Sequence, residues 1–270
     1  MVVGRHSDYL RVIDGHRAED ALPDAIADLP PGSTLLDVGA NIGVVTLSMA
    51  ALRPDCHVIA FEPVPSNLEC LRENVAASGL GNIEVVAAAV SNETGSVRVE
   101  DNGPWSVAGV EGGVLCPSSY LDEFDSPTVA FVKIDVEGFE PNVLAGAKRI
   151  LARGPLVLME FNPWAMLLHH YDPLVFAEAL WANSDILGVK SVNVEVAIPE
   201  NPTLLLHDIM IHYRYADVLL RPRSPLPDFA AMTEAPAAAQ LRRENAALRA
   251  STSWRLTAPL RALKQTMRRR

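Results

Sequence analysis

Five short runs of the chain are apolar at nearly every position: STLLDVG (33–39), HVIAFEP (57–63), IEVVAAAV (83–90), VAFVKID (129–135) and PLVLMEF (155–161). Runs of this length, rich in β-branched residues and without polar alternation, suit strands covered on both faces. Between them VVTLSMAALRP (44–54), PSNLECLRENVAAS (65–78) and EPNVLAGAKRILA (140–152) space their apolar residues as helices do, and the second stops at Ser78-Gly79. The alternation predicts an α/β fold, a doubly wound and mostly parallel sheet. SVNVEVAIP (191–199) and TLLLHDIMIHYR (203–214) show no evident helix between them and are expected to pair antiparallel at one edge. No internal repeat interrupts this order.

Residues 221–239 are rich in Pro and Ala and carry no periodicity, which predicts a linker. The tail, 240–270, is expected to be helical up to about Ser251–Ser253. This leaves a lead-in segment at 1–32 and one domain at 33–220.

Composition narrows the function classes. Of 270 residues, 49% are hydrophobic and 21% charged, the balance of a packed fold. The net charge of −10 is uneven: nine Lys or Arg against one Glu give the tail +8, so the first 239 residues carry −18. An acidic body is a poor partner for a polyanion, and no nucleic acid is expected to bind it. Cys56, Cys70 and Cys116 form no CxxC pair and suggest neither a disulfide framework nor a zinc site. No apolar run approaches the roughly 20 residues of a membrane span, and MVVGRHSDYLRVIDGH lacks the order of an export signal. A cytoplasmic protein is expected.

The candidate chemistry starts at LLDVGANIG (35–43). A dinucleotide site needs G-x-G-x-x-G so that a pyrophosphate can approach the backbone; here Asn41 stands at the second glycine position and no third glycine follows. A P-loop would need Gly-Lys-Ser/Thr, also missing. Glu62 ends the second run, where an acid accepts the hydroxyls of a ribose. A nucleoside without pyrophosphate is thereby implied, and S-adenosylmethionine fits, with Asp37 facing its methionyl amino end. The alternative is that Asp37 caps the following helix and Glu62 is a loop acid.

DVGANIG, FEP-x-PSN (61–67) and above all KIDVEGFE (133–140) followed by LAGAKRIL (144–151) closely resemble the FkbM-type methyltransferases, a branch of the class I S-adenosylmethionine-dependent enzymes. The resemblance covers about Leu35 to Phe161. It implies a Rossmann-like, seven-stranded sheet with an antiparallel edge and O-methyl transfer. It also implies cofactor contacts from Asp37, Gly39, Ala40, Asn41, Gly43, Glu62, Pro63, Asn67 and Asp135, with Ala89 and Val90 near the adenine.

Methyl transfer aligns an oxygen with the methyl carbon of a sulfonium and takes up the hydroxyl proton. Asp135 is the expected reacting carboxylate, with Glu137 sharing or replacing it, although the adjacent cation weakens Asp135 as a base. Gly138 is expected to make a tight turn and Glu140 to open the next helix. Three carboxylates this close could instead hold a divalent metal, but no histidine or further acid is fixed by spacing and none is expected. Glu160, Asn162 and Trp164 are expected at the acceptor. His169, His170, His207 and His212 are read as fillers. On a strand, His207 and His212 would face opposite ways.

STSWRLTAPLR (251–261) resembles a terminal motif of bacterial glycosyltransferases and other surface-polysaccharide assembly enzymes. The acceptor this implies is a hydroxyl of a glycan or other sugar-containing molecule. The basic tail would then dock on the inner face of a membrane or on an assembly complex. A polyketide acceptor and a non-catalytic cofactor-binding scaffold are the alternatives.

Overall fold

The computed structural model describes residues 22–101, 106–108, 113–191, 194–195, 198, 201–213, 215–223 and 226–229. After α1 (Leu22–Ala27) come β1 (Thr34–Val38), α2 (Val44–Leu52), β2 (His57–Phe61), α3 (Pro65–Ser78) and β3 (Ile83–Val86). The strands β4 (Ala89–Val90), β5 (Gly95–Glu100), β6 (Val107–Ala108) and β7 (Val114–Ser119) build a separate small sheet. The chain then runs through β8 (Val129–Ile134), α4 (Glu140–Ala145), α5 (Lys148–Leu151), β9 (Leu156–Phe161), α6 (Pro163–Leu168) and α7 (Pro173–Asn183). It ends the domain with β10 (Ser184–Ser191), β11 (Val194–Glu195), α8 (Pro202–Asp208) and β12 (Ala216–Pro222).

The large sheet has the order β11-β10-β12-β9-β8-β1-β2-β3. Strands β3, β2, β1, β8 and β9 are parallel, and β12 runs antiparallel between β9 and β10. Seven strands thus make the expected mostly parallel sheet with an antiparallel edge, and the two-residue β11 extends its rim. The chain winds outward from β1 through β2 and β3, then restarts on the other side at β8. That reversal opens a crevice beyond the carboxyl ends of β1 and β8, where ligands of such sheets bind.

Both faces are covered, which explains the unbroken apolar runs. Leu36, Val38, Val132, Ile134, Val157 and Met159 bury into one cluster with α4 and α5, whereas Leu35, Val58, Phe131 and Leu158 bury into another with Leu22, Ile26 and Met49 of α1 and α2. Each such side chain contributes about 1.5–3 kcal/mol by leaving water. The lead-in segment therefore supplies part of the core through α1. At the other end Leu226 and Phe229 are buried, so packed residues reach past the expected boundary at 220 into the stretch read as a linker. Residues 230–270, and with them the tail, lie outside the described residues. All three cysteines are free and buried. Among the described residues no helix is long and apolar enough to cross a membrane.

Three expectations are corrected. The run 83–90 divides: Val86 is the last residue paired with β2, and Ala89–Val90 pairs instead with Ser118–Ser119 of the small sheet. The helix 140–152 breaks at Gly146, where a Cβ would lie 2.1 Å from the Ser91 carbonyl oxygen. The α5 segment restarts there because the buried Asp122 carboxylate accepts from the backbone N–H groups of Arg149 and Ile150. Finally, within the expected strand 203–214 the described residues, 203–213, form no strand. Asn201 caps α8 by accepting from Thr203 N–H, Pro202 opens it, and Leu205, Leu206 and Ile209 bury at helical spacing. The antiparallel edge comes from β10 and β12, so His207 lies on a helix.

Candidate active site

The glycine turn after β1 is shaped by contact with β8. Gly39 has φ +82°, and a Cβ there would sit 1.9 Å from the Asp135 carbonyl oxygen, so no other residue fits. The N–H groups of Gly39 and Ala40 both donate to the Phe61 carbonyl, tying the turn to β2. Asn41 takes φ +53°, and Gly43, at φ +93°, opens α2 against Leu71.

Two acids flank the turn. Asp37 is fully buried; its Oδ2 accepts from Thr46 Oγ1 at 2.5 Å, while Oδ1 has no hydrogen-bond donor and faces Lys133 Nζ at 3.5 Å. Glu62 is buried at the end of β2, with Asn41 N–H on Oε2 (2.7 Å) and Val64 N–H on Oε1 (2.9 Å). The Asn67 side chain hydrogen-bonds the same carboxylate, and burial pushes Glu62 up to about 7. Pro63 is half-buried beside it, whereas Ala89 and Val90 are buried in β4.

Beyond β8 the chain turns sharply. Glu137 has φ +52° and Gly138 φ +95°, where a Cβ would meet the Ala165 backbone at 2.4 Å. Glu140 opens α4 and accepts from Gly138 N–H at 3.1 Å, closing this turn. His169 Nε2 lies 3.2 Å from the Glu137 carbonyl and its ring packs on Phe139; burial lowers its pKa, so the neutral ring donates this bond.

The turn aims Asp135 and Glu137 at β9. Oxygens of Asp135, Glu137 and Glu160 lie within 4.8 Å of one another, a spacing that a divalent cation could bridge. Asn162 caps α6 through Oδ1, and its Nδ2 reaches Glu137 Oε2 at 3.5 Å and Glu160 Oε1 at 3.4 Å. Burial, then the charges of Asp135 and Glu140, pushes Glu137 up to about 8. Burial, then the charges of Asp135, Glu137 and Asp217, holds Glu160 well above its ordinary value. Trp164, 49% exposed, stands on the first turn of α6.

Three participants escaped the sequence. Lys133 stood inside the quoted KIDVEGFE without a role, and Thr46 carries no local signal. Asp217 lies opposite Glu160 in the β12–β9 register and is pushed up to about 7 by burial and Asp135. An acid inside the apolar run ADVLL was its only mark.

This strand order, a glycine turn without a phosphate cradle and an acid at the end of β2 define a class I methyltransferase, a class that takes its methyl group from S-adenosylmethionine. The residues fit that cofactor, since Asp37 leaves a buried oxygen without a hydrogen-bond donor and Glu62 is a buried, oriented acceptor at the end of β2. The chain belongs to the FkbM methyltransferase family: residues 37–179 match the Methyltransferase FkbM domain. It is 24% identical over 161 residues to the 2-O-methyltransferase NoeI of Sinorhizobium fredii, covering 49% of this chain and 64% of that protein. It is 27% identical over 161 residues to the hexuronic acid methyltransferase AglP of Haloferax volcanii, covering 56% of this chain and 65% of that one. Both alignments thus span a little under two thirds of the relative. A crystal structure of an FkbM methyltransferase from Methylobacillus flagellatus aligns with a TM-score of 0.46 at 18% identity, covering 70% of this chain and 43% of that one.

Proposed function

We propose that the chain transfers a methyl group from S-adenosylmethionine to a hydroxyl of a saccharide acceptor in glycan or polysaccharide biosynthesis. The observation that carries this reading is the buried Glu62 carboxylate with one backbone N–H on each oxygen. A carboxylate has about four lone-pair positions. The Asn67 amide takes a third, so one position is left to accept a ribose hydroxyl. Asp37 Oδ1 takes the amino end, and Gly39, Ala40, Asn41 and Gly43 form the floor of the site.

The cofactor supplies an electrophilic methyl on a sulfonium. Glu137, raised to about 8 by burial and then by its acidic neighbours, has the proton affinity to take up the acceptor's hydroxyl proton near neutral pH. Asp135, held at 3.3 Å from Lys133 Nζ, presents negative charge beside the cationic sulfur. Glu160 and Asn162 bind neighbouring hydroxyls, and Trp164 offers a ring face to a sugar. The charge of −18 on the first 239 residues supports a neutral acceptor over a polyanion. The name of the hexuronic acid methyltransferase AglP supports the saccharide class, and that of the 2-O-methyltransferase NoeI supports transfer to a hydroxyl.

The basic tail, by this reading, holds the enzyme at an anionic membrane surface or an assembly complex. Full-length protein should float with anionic liposomes and a chain ending at Ala239 should not; equal behaviour removes this element. The acceptor class is tested by incubating the protein with S-adenosylmethionine and separate neutral oligosaccharide, uronate, macrolide and RNA samples, then weighing the products. A gain of one methylene on the neutral saccharide is expected. Methylation of RNA or macrolide alone would overturn the reading.

A further inference from the structure

We propose that Lys133 is a positioning residue for methyl transfer, a clamp that fixes the Asp135 carboxylate against the glycine turn and so sets reacting carboxylate and cofactor seat at one spacing. The inference rests on the methyltransferase reading above. Lys133 and Asp37 are directly opposed in the β8–β1 register, and Lys133 and Asp135 sit two apart, on the same face of the chain leaving β8. Its ammonium, on a side chain 10% exposed, donates to the Gly39 carbonyl at 3.1 Å, pairs with Asp135 Oδ2 at 3.3 Å and lies 3.5 Å from Asp37 Oδ1 as a charge contact without a hydrogen bond.

These partners belong to different jobs. Asp37 and Gly39 shape the cofactor's seat, and Asp135 presents its charge beside the sulfur from which the methyl leaves. A purely structural ion pair would need only one of them. Burial alone would lower the pKa of this lysine, yet the charges of Asp135 and Asp37 outweigh it and hold the ammonium protonated. Without it, two carboxylates gathered around one cation repel each other, and the carboxylate with the freer side chain, Asp135 at 31% exposure against none for Asp37, moves. A displacement of about 1 Å at a reacting centre costs on the order of 100-fold in rate.

The test compares wild type, Lys133→Met and Lys133→Arg in full-length protein by thermal melting, calorimetric binding of S-adenosylhomocysteine, and kcat and KM with S-adenosylmethionine and the neutral oligosaccharide acceptor. Lys133→Met should lose on the order of 100-fold in kcat while its S-adenosylhomocysteine affinity stays within about tenfold of wild type. Lys133→Arg keeps the charge but moves it along a longer, planar side chain. It should melt like wild type, bind the product, and lose about tenfold in kcat with KM little changed. If Lys133→Met does not fold, Lys133→Arg decides alone. Wild-type kcat in Lys133→Arg, or a loss in either folded variant confined to product binding, would overturn the clamp. A wild-type protein that binds no S-adenosylhomocysteine and transfers no methyl group would instead overturn the functional reading, and the clamp with it.

Discussion

Replacing Glu62 by glutamine keeps the size of the side chain and removes its charge. In the native protein the two oxygens accept from Asn41 N–H at 2.7 Å and Val64 N–H at 2.9 Å. The amide can serve only one of these donors; its NH2 group meets the other, and a buried donor left unpaired costs about 1–3 kcal/mol of stability. Binding suffers separately, because the position left to accept a ribose hydroxyl loses its charge. A hydrogen bond to a charged acceptor is worth about 1.5–3 kcal/mol, so the dissociation constant of S-adenosylhomocysteine should rise roughly tenfold to 150-fold. Calorimetry at about pH 8, above the value of about 7 to which burial raises Glu62, measures the full effect. Below pH 7 the wild-type carboxyl takes up a proton and loses one acceptor, so the gap between wild type and Glu62→Gln should narrow by pH 6. Melting curves establish that the variant is folded at the temperature of titration. Equal affinities at pH 8 in a folded variant would refute the ribose contact.

Gly39→Ala puts a Cβ 1.9 Å from the Asp135 carbonyl at φ +82°. The left-handed backbone alone costs about 1–2 kcal/mol, so the melting temperature should drop by at least about 2 °C; an unchanged melt contradicts the close approach. Glu137→Gln should lower kcat by about 10²–10⁴-fold with product affinity retained, and a full-rate variant would move the proton-accepting role elsewhere. Stability without ligand should fall as pH rises. Burial lifts Glu62, Glu140 and Asp217 to about 7, and Glu137, with its acidic neighbours, to about 8, from ordinary values of 4.5 for Glu and 3.8 for Asp. The folded chain then binds more protons than the unfolded one across this window. The stabilisation is complete below the ordinary values and is lost as pH climbs through the folded ones, so melting temperature should decline between about pH 5 and 8. A melting temperature that rises over that range contradicts the burial of these acids. Chelation with EDTA should leave the methylation rate unchanged; loss of rate restored by magnesium would make Asp135, Glu137 and Glu160 cation ligands in place of the proton-accepting arrangement.

The elements set by local pattern were legible in the chain. Gly39, Asn41 and Gly43 between two apolar runs, Glu62 at a strand end and the KIDVEG turn are local signals, and each stands at the crevice. What depends on register was not legible. Lys133 meets Asp37 only because β8 pairs with β1, and Glu160 reaches Asp135 and Asp217 only because β9 lies between β8 and β12. The mistaken strand at 203–214 had its helix signal in Asn201-Pro202, but a run of apolar residues ending in IMIHY satisfies both periods, and burial of Leu205, Leu206 and Ile209 decided the matter. Gly146 reads as an ordinary helix residue until Ser91 is known to lie against it.

The account stands on an adenosyl sulfonium occupying the crevice between β1, β2 and β8. Titrating the purified full-length protein in a calorimeter with S-adenosylmethionine, S-adenosylhomocysteine and NAD tests this directly. Saturable, equimolar uptake of the first two and none of the third is the predicted result. Uptake of NAD, with no heat from either sulfur nucleoside, would contradict it.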